Sequence, residues 1–164
     1  MNKLFAIGLM VFSSVAFSHS SHHGGSAHMP AVDTAHAKVS ATLAVSDCWV
    51  RSLPAPAPSA AYFIVKNTGD NEALLQGAAS STYGMVMLHQ TTHQGGMSRM
   101  SETHDIVIPP GGQLEFKPGG YHAMLEKPVA APAIGSTVAM DFVFSSGEKA
   151  VAQCEVKPAN AQSH

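Results

Sequence analysis

The stretch DIVIPPGGQLEFKPGGYHAML, residues 105–125, decides the fold. Three short runs, DIVIP, QLEFKP and YHAML, are apolar-rich or alternate between apolar and polar residues. Between them stand PPGG and KPGG. Proline cannot donate a backbone hydrogen bond, and glycine accepts the left-handed conformation that tight turns require, so each pair punctuates rather than continues a strand. The stretch reads as strand, turn, strand, turn, strand.

Working outward, the same signal repeats. SATLAV, CWVRSL, AAYFIVKN, MVMLHQ, TVAMDFVF and AVAQCEV are further strand candidates, separated by NTGDN, HQGG and SSGEK. Apart from weak Ala-rich pieces, no window of eleven or more residues sustains a helical period. PAPAP at 54–58 cannot sit in a central strand. Many short strands at roughly 8–12-residue spacing predict an all-β, antiparallel sandwich or barrel. Residues 38–158 are the expected domain, followed by a polar end at 159–164.

The chain has 164 residues, charged residues are only 12% of it, and its formal net charge is −2. That charge excludes nucleic acid as a partner, because phosphate binding needs a basic face. Residues 1–18, MNKLFAIGLMVFSSVAFS, have the form of a signal peptide: Lys3, an apolar run from Leu4, and the small-x-small pattern at Ala16–Ser18. The run is shorter than the roughly 18–20 residues of a spanning helix, so no membrane span is expected in the mature protein. No cysteine follows the run, which argues against lipid attachment there. Export to the periplasm is the expectation, with the mature chain starting at His19.

Residues 19–37 hold His19, His22, His23, His28 and His36 among Gly, Ser, Ala and Pro. Too few apolar groups are present to offset ordering entropy, so a flexible tail is expected. Imidazole runs prefer Cu(II) or Zn(II), which makes His19, His22, His23 and His28 candidate auxiliary ligands for Cu(II). Cys48 and Cys154 are the only cysteines. In an oxidising compartment a disulfide is favoured; free buried thiols and a thiolate metal ligand are the alternatives.

Ten His and nine Met are the compositional anomaly. In a strand, residues i, i+2 and i+4 share a face. Met85, Met87 and His89 therefore point one way, with Val86 and Leu88 toward the core, and His122 and Met124 emerge together after KPGG. TTHQGG, read as a loop, can bring Met97 or Met100 back beside His89. Met140, and Met85 with it, are assigned to core. His89, Met100, His122 and Met124 come as a set between glycine turns. Thioether sulfur is soft and neutral and favours Cu(I), and imidazole accepts either copper state. Met87 and Met97 are candidate auxiliary ligands or a shield.

The spacing His89, ten residues, Met100, twenty-one residues, His122, one residue, Met124, together with GGMSRM, IVIPPGGQLEFKPGGYHAML and CWVRSLPAPAPSAAYFIVKNTGD, resembles the periplasmic PCu(A)C-type copper chaperones over about residues 40–157. The resemblance implies a cupredoxin-like antiparallel β-sandwich that binds one Cu(I) through those two His and two Met. It also implies copper delivery toward the Cu(A) centre of cytochrome c oxidase, alongside Sco-type proteins. The cysteine pair is no part of that ligand pattern, and the His-rich segment is N-terminal, whereas members with such an extension often carry it at the other end. A copper storage or resistance buffer would share the same site. An electron-transfer cupredoxin would need a Cys thiolate near a His–Met pair, and Cys154 is followed only by His164. No HExxH or GxSxG run suggests an enzyme.

Overall fold

The computed structural model describes residues 34–162 and, among them, eleven strands and no helix. They are β1 (Lys38–Val39), β2 (Leu43–Arg51), β3 (Ser59–Asn67), β4 (Ala73–Ala79), β5 (Tyr83–Gln94), β6 (Met97–Glu102), β7 (Ile106–Ile108), β8 (Gln113–Phe116), β9 (Tyr121–Pro128), β10 (Thr137–Phe144) and β11 (Glu148–Lys157). The hydrogen-bonded path runs β6-β5-β9-β3-β2-β11-β10-β4-β7, with β1 added on β11 and β8 on β3. The path folds over on itself: β4 lies against β5 and β7 against β3. The result is a cupredoxin-like β-sandwich. It is mostly antiparallel, but β2 and β1 both run parallel to β11, which the all-antiparallel expectation did not contain.

Alternation explains the layers. In β10, Val138, Met140, Phe142 and Phe144 are buried; in β11, Ala150, Ala152, Cys154 and Val156 are buried while Val151, Gln153 and Glu155 face out. Phe63 sits at the centre, stacked on Phe116 at 4.2 Å and tilted against Phe142 at 4.4 Å between ring centroids. Each fully buried aromatic of this kind contributes about 1.5–3 kcal/mol through the apolar area it removes from water.

Three strands lie where none was expected, the two-residue β1 and the longer β4 and β6. β4 is Ala- and Gly-rich, so its intrinsic strand preference is weak; it forms because β10 and β7 pair with it on both sides and Leu75 and Ala78 enter the core. β6 and the end of β5 correct the reading of TTHQGG as a loop. Thr91 to Gln94 continue β5, and the chain reverses only at Gly95–Gly96, whose φ of 58° and 76° suit a tight two-residue hairpin.

A bulge in β2 has a larger consequence. The register with β3 shifts between Ser46 and Trp49, where Asp47 adopts φ 51°. The extra residue turns Cys48 into the core and puts Trp49 on the outer face, opposite Tyr62. Cys48 is bonded to Cys154, both sulfurs being buried in the core, and the bond spans a sequence separation of 106.

Candidate metal centre

Strand register assembles the site. β5 and β9 are antiparallel, with His89 directly opposite His122 and Met87 directly opposite Met124. Directly opposed residues project to the same face, so a thioether pair and an imidazole pair sit side by side on the outer sheet surface. Leu88 and Val86, between them, pack into the core. β6 adds the fifth side chain: Met100 lies opposite Thr91, which is two residues from His89 and on its face. Met100 reaches across β5, and its Sδ lies 3.2 Å from His122 Nε2.

The hydrogen bonds determine which atoms are available as donors to a metal. His122 Nδ1 is 3.1 Å from the Gly120 carbonyl, which can only accept, so the neutral ring carries its hydrogen on Nδ1. Nε2 then presents a lone pair to the Met100 sulfur. Two Lewis bases face one another with nothing to share except a cation. The His89 ring lies edge-on to that of His122, 5.8 Å between centroids, and its Nδ1 is buried with no hydrogen-bond partner. Buried polar atoms are normally satisfied, so this nitrogen also fits a missing electrophile. Both imidazoles are 8% exposed. Behind His122 stands an aromatic wall, Tyr62 at 6.4 Å and Trp49 a further 4.6 Å on, with the Arg51 guanidinium 5.4 Å from the Tyr62 ring centre.

Loss of water contact holds the His89 pKa below the ordinary imidazole value, and His122 pushes it the same way; the carboxylates of Glu102 and Glu126 oppose them without prevailing. The ring therefore stays neutral, the state that ligates metal, to lower pH than a free imidazole. The linkage sign follows: in the unfolded chain His89 takes up a proton first, so its contribution to stability is complete above about pH 6.5 and is lost as pH falls toward the lower folded value. Unfolding by urea at pH 7.5 and pH 5 should show a larger loss for the native chain than for His89→Gln. Equal losses would refute this.

Of the residues singled out from sequence, His89, His122, Met124, Met87 and Met100 share this face. Met97 does not: it pairs with Gln94, one residue out of phase with Met100, so it projects to the opposite side at the hairpin tip and is 74% exposed. Met85 is half-buried and shares the face of Met87, while Met140 is fully buried in the core. His19, His22, His23, His28 and the segment 1–18 lie outside the described residues. Among the described residues no three His, Cys, Asp or Glu side chains are placed to hold a metal, and the side-chain donors beside the two imidazoles on this face are thioethers. Such a set suits a soft cation rather than Zn(II), Mg(II) or Ca(II). The reading of TTHQGG as a loop hid His93, which lies on the same strand face; its β-branched neighbours Thr91 and Thr92 were the available signal.

The family model described as "Putative lipoprotein LpqE-like" matches residues 43–156. The chain belongs to the LpqE-like family. A relative of similar length, "Putative lipoprotein Lxx21020" of Leifsonia xyli subsp. xyli (strain CTCB07), is 33% identical over 135 residues, 82% of this chain and 81% of its own. Among solved structures, the apo PmoF2 PCuAC domain superposes with a TM-score of 0.62 at 21% identity, covering 75% of this chain and 95% of that one. The solution structure of CuI-DR1885 from Deinococcus radiodurans superposes with a TM-score of 0.58 at 28% identity, covering 78% and 85%. The fold of this LpqE-like chain is thus that of the PCuAC domains, in agreement with the resemblance read from its motifs.

Proposed function

We propose that this LpqE-like protein binds one Cu(I) through His89, Met100, His122 and Met124 and hands it to an acceptor in the cell envelope, on the route to the Cu(A) centre of cytochrome c oxidase, with a Sco-type protein as co-worker. Copper is its cargo, and the protein acts as a transfer chaperone rather than an enzyme. The observation that carries this reading is the His122 Nε2 lone pair facing the Met100 sulfur at 3.2 Å, with Nδ1 already engaged by Gly120. The likeness to the Cu(I) form of the Deinococcus protein supports it.

The site is built for exchange. Met100 is 53% exposed on an edge strand whose six residues are all open to solvent, so one thioether can leave and a partner's donor enter. The His122 ring stays anchored below by the Gly120 carbonyl. A blue-copper role would require a thiolate, and both cysteines are joined to each other. Envelope placement rests here on the signal-peptide form of residues 1–18 and on the likeness to "Putative lipoprotein Lxx21020".

Competition titration against a chromophoric Cu(I) chelator tests the reading. One Cu(I) should bind per chain, Met100→Ala should weaken it by about tenfold or more, and Met97→Ala should leave it unchanged. Equal losses for the two methionines would remove β6 register from the account. Mixing the loaded protein with the purified, copper-free Cu(A) domain of the oxidase should then move the metal; retention with no transfer would favour a storage buffer.

A further inference from the structure

His93 takes no part in the donor set, yet both nitrogens of its ring are engaged near it. Nε2 lies 3.2 Å from the Gly119 carbonyl, and Nδ1 lies 2.9 Å from the Ser98 hydroxyl. The carbonyl can only accept, so in the neutral ring Nε2–H donates to Gly119 and Nδ1 accepts from Ser98. The ring thereby ties together two chain reversals that are 26 residues apart in sequence, the β5–β6 hairpin and the turn at 117–120.

Each end of this tie leads to one side of the metal pair. Ser98 is two residues before Met100 on β6 and shares its face. Gly119 precedes Gly120, whose carbonyl accepts from Thr91 N–H at 3.0 Å and from His122 Nδ1–H at 3.1 Å. The chain from thioether to imidazole anchor is therefore continuous: Met100, Ser98, His93, Gly119, Gly120, His122. β6 otherwise pairs only with β5 and is exposed along its whole length, so little else restrains the end of this arm. Gly119 has φ +79°, and a Cβ placed there would come within 3.7 Å of His93 Nε2, so the turn meets the ring at ordinary contact distance.

We propose that His93 is a positioning residue, a latch that keeps the β6 arm closed with Met100 over His122 and so sets how fast the site opens to release its metal. The latch rests on the Cu(I) reading above. It acts on the arm and not on the ion, so it controls the rate of release and the order of the arm more than the identity of the donors.

The test uses the full-length protein loaded with Cu(I) and a competing chelator in excess, with release followed by stopped flow. His93→Ala should release copper faster, on the order of fivefold to tenfold for the loss of two hydrogen bonds. Ser98→Ala should show a smaller acceleration. His93→Gln, which retains an N–H donor and a carbonyl acceptor, should recover much of the native rate. In the metal-free protein, amide hydrogen exchange in β6 should speed up in His93→Ala while the thermal midpoint stays close to native. Unchanged release and unchanged β6 exchange in His93→Ala would overturn the latch, as would a glutamine variant as fast as alanine. If the native chain binds no Cu(I), the function reading fails, and β6 exchange in the metal-free variants alone decides the latch.

Discussion

Replacing His122 by alanine should cost on the order of 100-fold or more in Cu(I) affinity while leaving the protein folded. Partners that merely orient a metal ligand are worth about 10–100-fold, and His122 is assigned as a ligand itself. Its Nε2 is the nitrogen facing Met100, and its ring is paired with His89 across β5 and β9. Without it, one imidazole and two thioethers remain. Folding should lose only about 1–2 kcal/mol, because the Gly120 carbonyl keeps its Thr91 N–H and β9 keeps its pairing to both β5 and β3. Competition titration and urea unfolding on the same preparation separate the two effects. Native affinity in a folded His122→Ala chain would refute the donor assignment. A chain that does not fold would refute the claim that β9 stands without that ring.

The second large effect concerns stability alone. The Cys48–Cys154 bond closes a loop of 106 residues, and the chain-entropy argument gives about 4.7 kcal/mol for a loop of that order. Domain stabilities run to only about 5–15 kcal/mol, so Cys48→Ala with Cys154→Ala should bring the protein close to its threshold. The denaturant slope should rise as well, because the uncrosslinked unfolded chain exposes more surface. Cu(I) affinity should not change: both sulfurs point into the core, on the side of β2 away from Trp49 and from the face of His89 and His122. A stability loss below about 1 kcal/mol would show that the crosslink does not constrain the unfolded chain as the entropy argument requires.

Strands with strong alternation were legible without coordinates. TVAMDFVF and AVAQCEV became β10 and β11, with Met140 in the core as assigned, because a half-buried strand forces period two on its residues. β4 was not legible. ALLQGAA carries no β-branched or aromatic residue, and only pairing on both sides makes it a strand. The extension of β5 through His93 was missed for a different reason: polar residues beside GG suggest a loop, whereas here they form the solvated arm of a long hairpin.

The site divides in the same way. Period two alone grouped Met87 with His89 and His122 with Met124. It could not say that His89 opposes His122 and Met87 opposes Met124, since cross-strand register depends on how two distant segments align. Nor could it separate Met97 from Met100. That distinction comes from a two-residue turn, which pairs Gln94 with Met97 and so puts Met100 three positions further on, on the face of His89 and His122. The strand-rich class, the turns and the soft side chains were readable from the residues alone, because these follow from local backbone preference and from side-chain identity. Cross-strand register set which of these side chains meet, and folding sent Cys48 inward at the Asp47 bulge to Cys154 and brought His93 onto the turn that precedes His122. Those outcomes depend on register between strands far apart in the chain, and no local pattern encodes it.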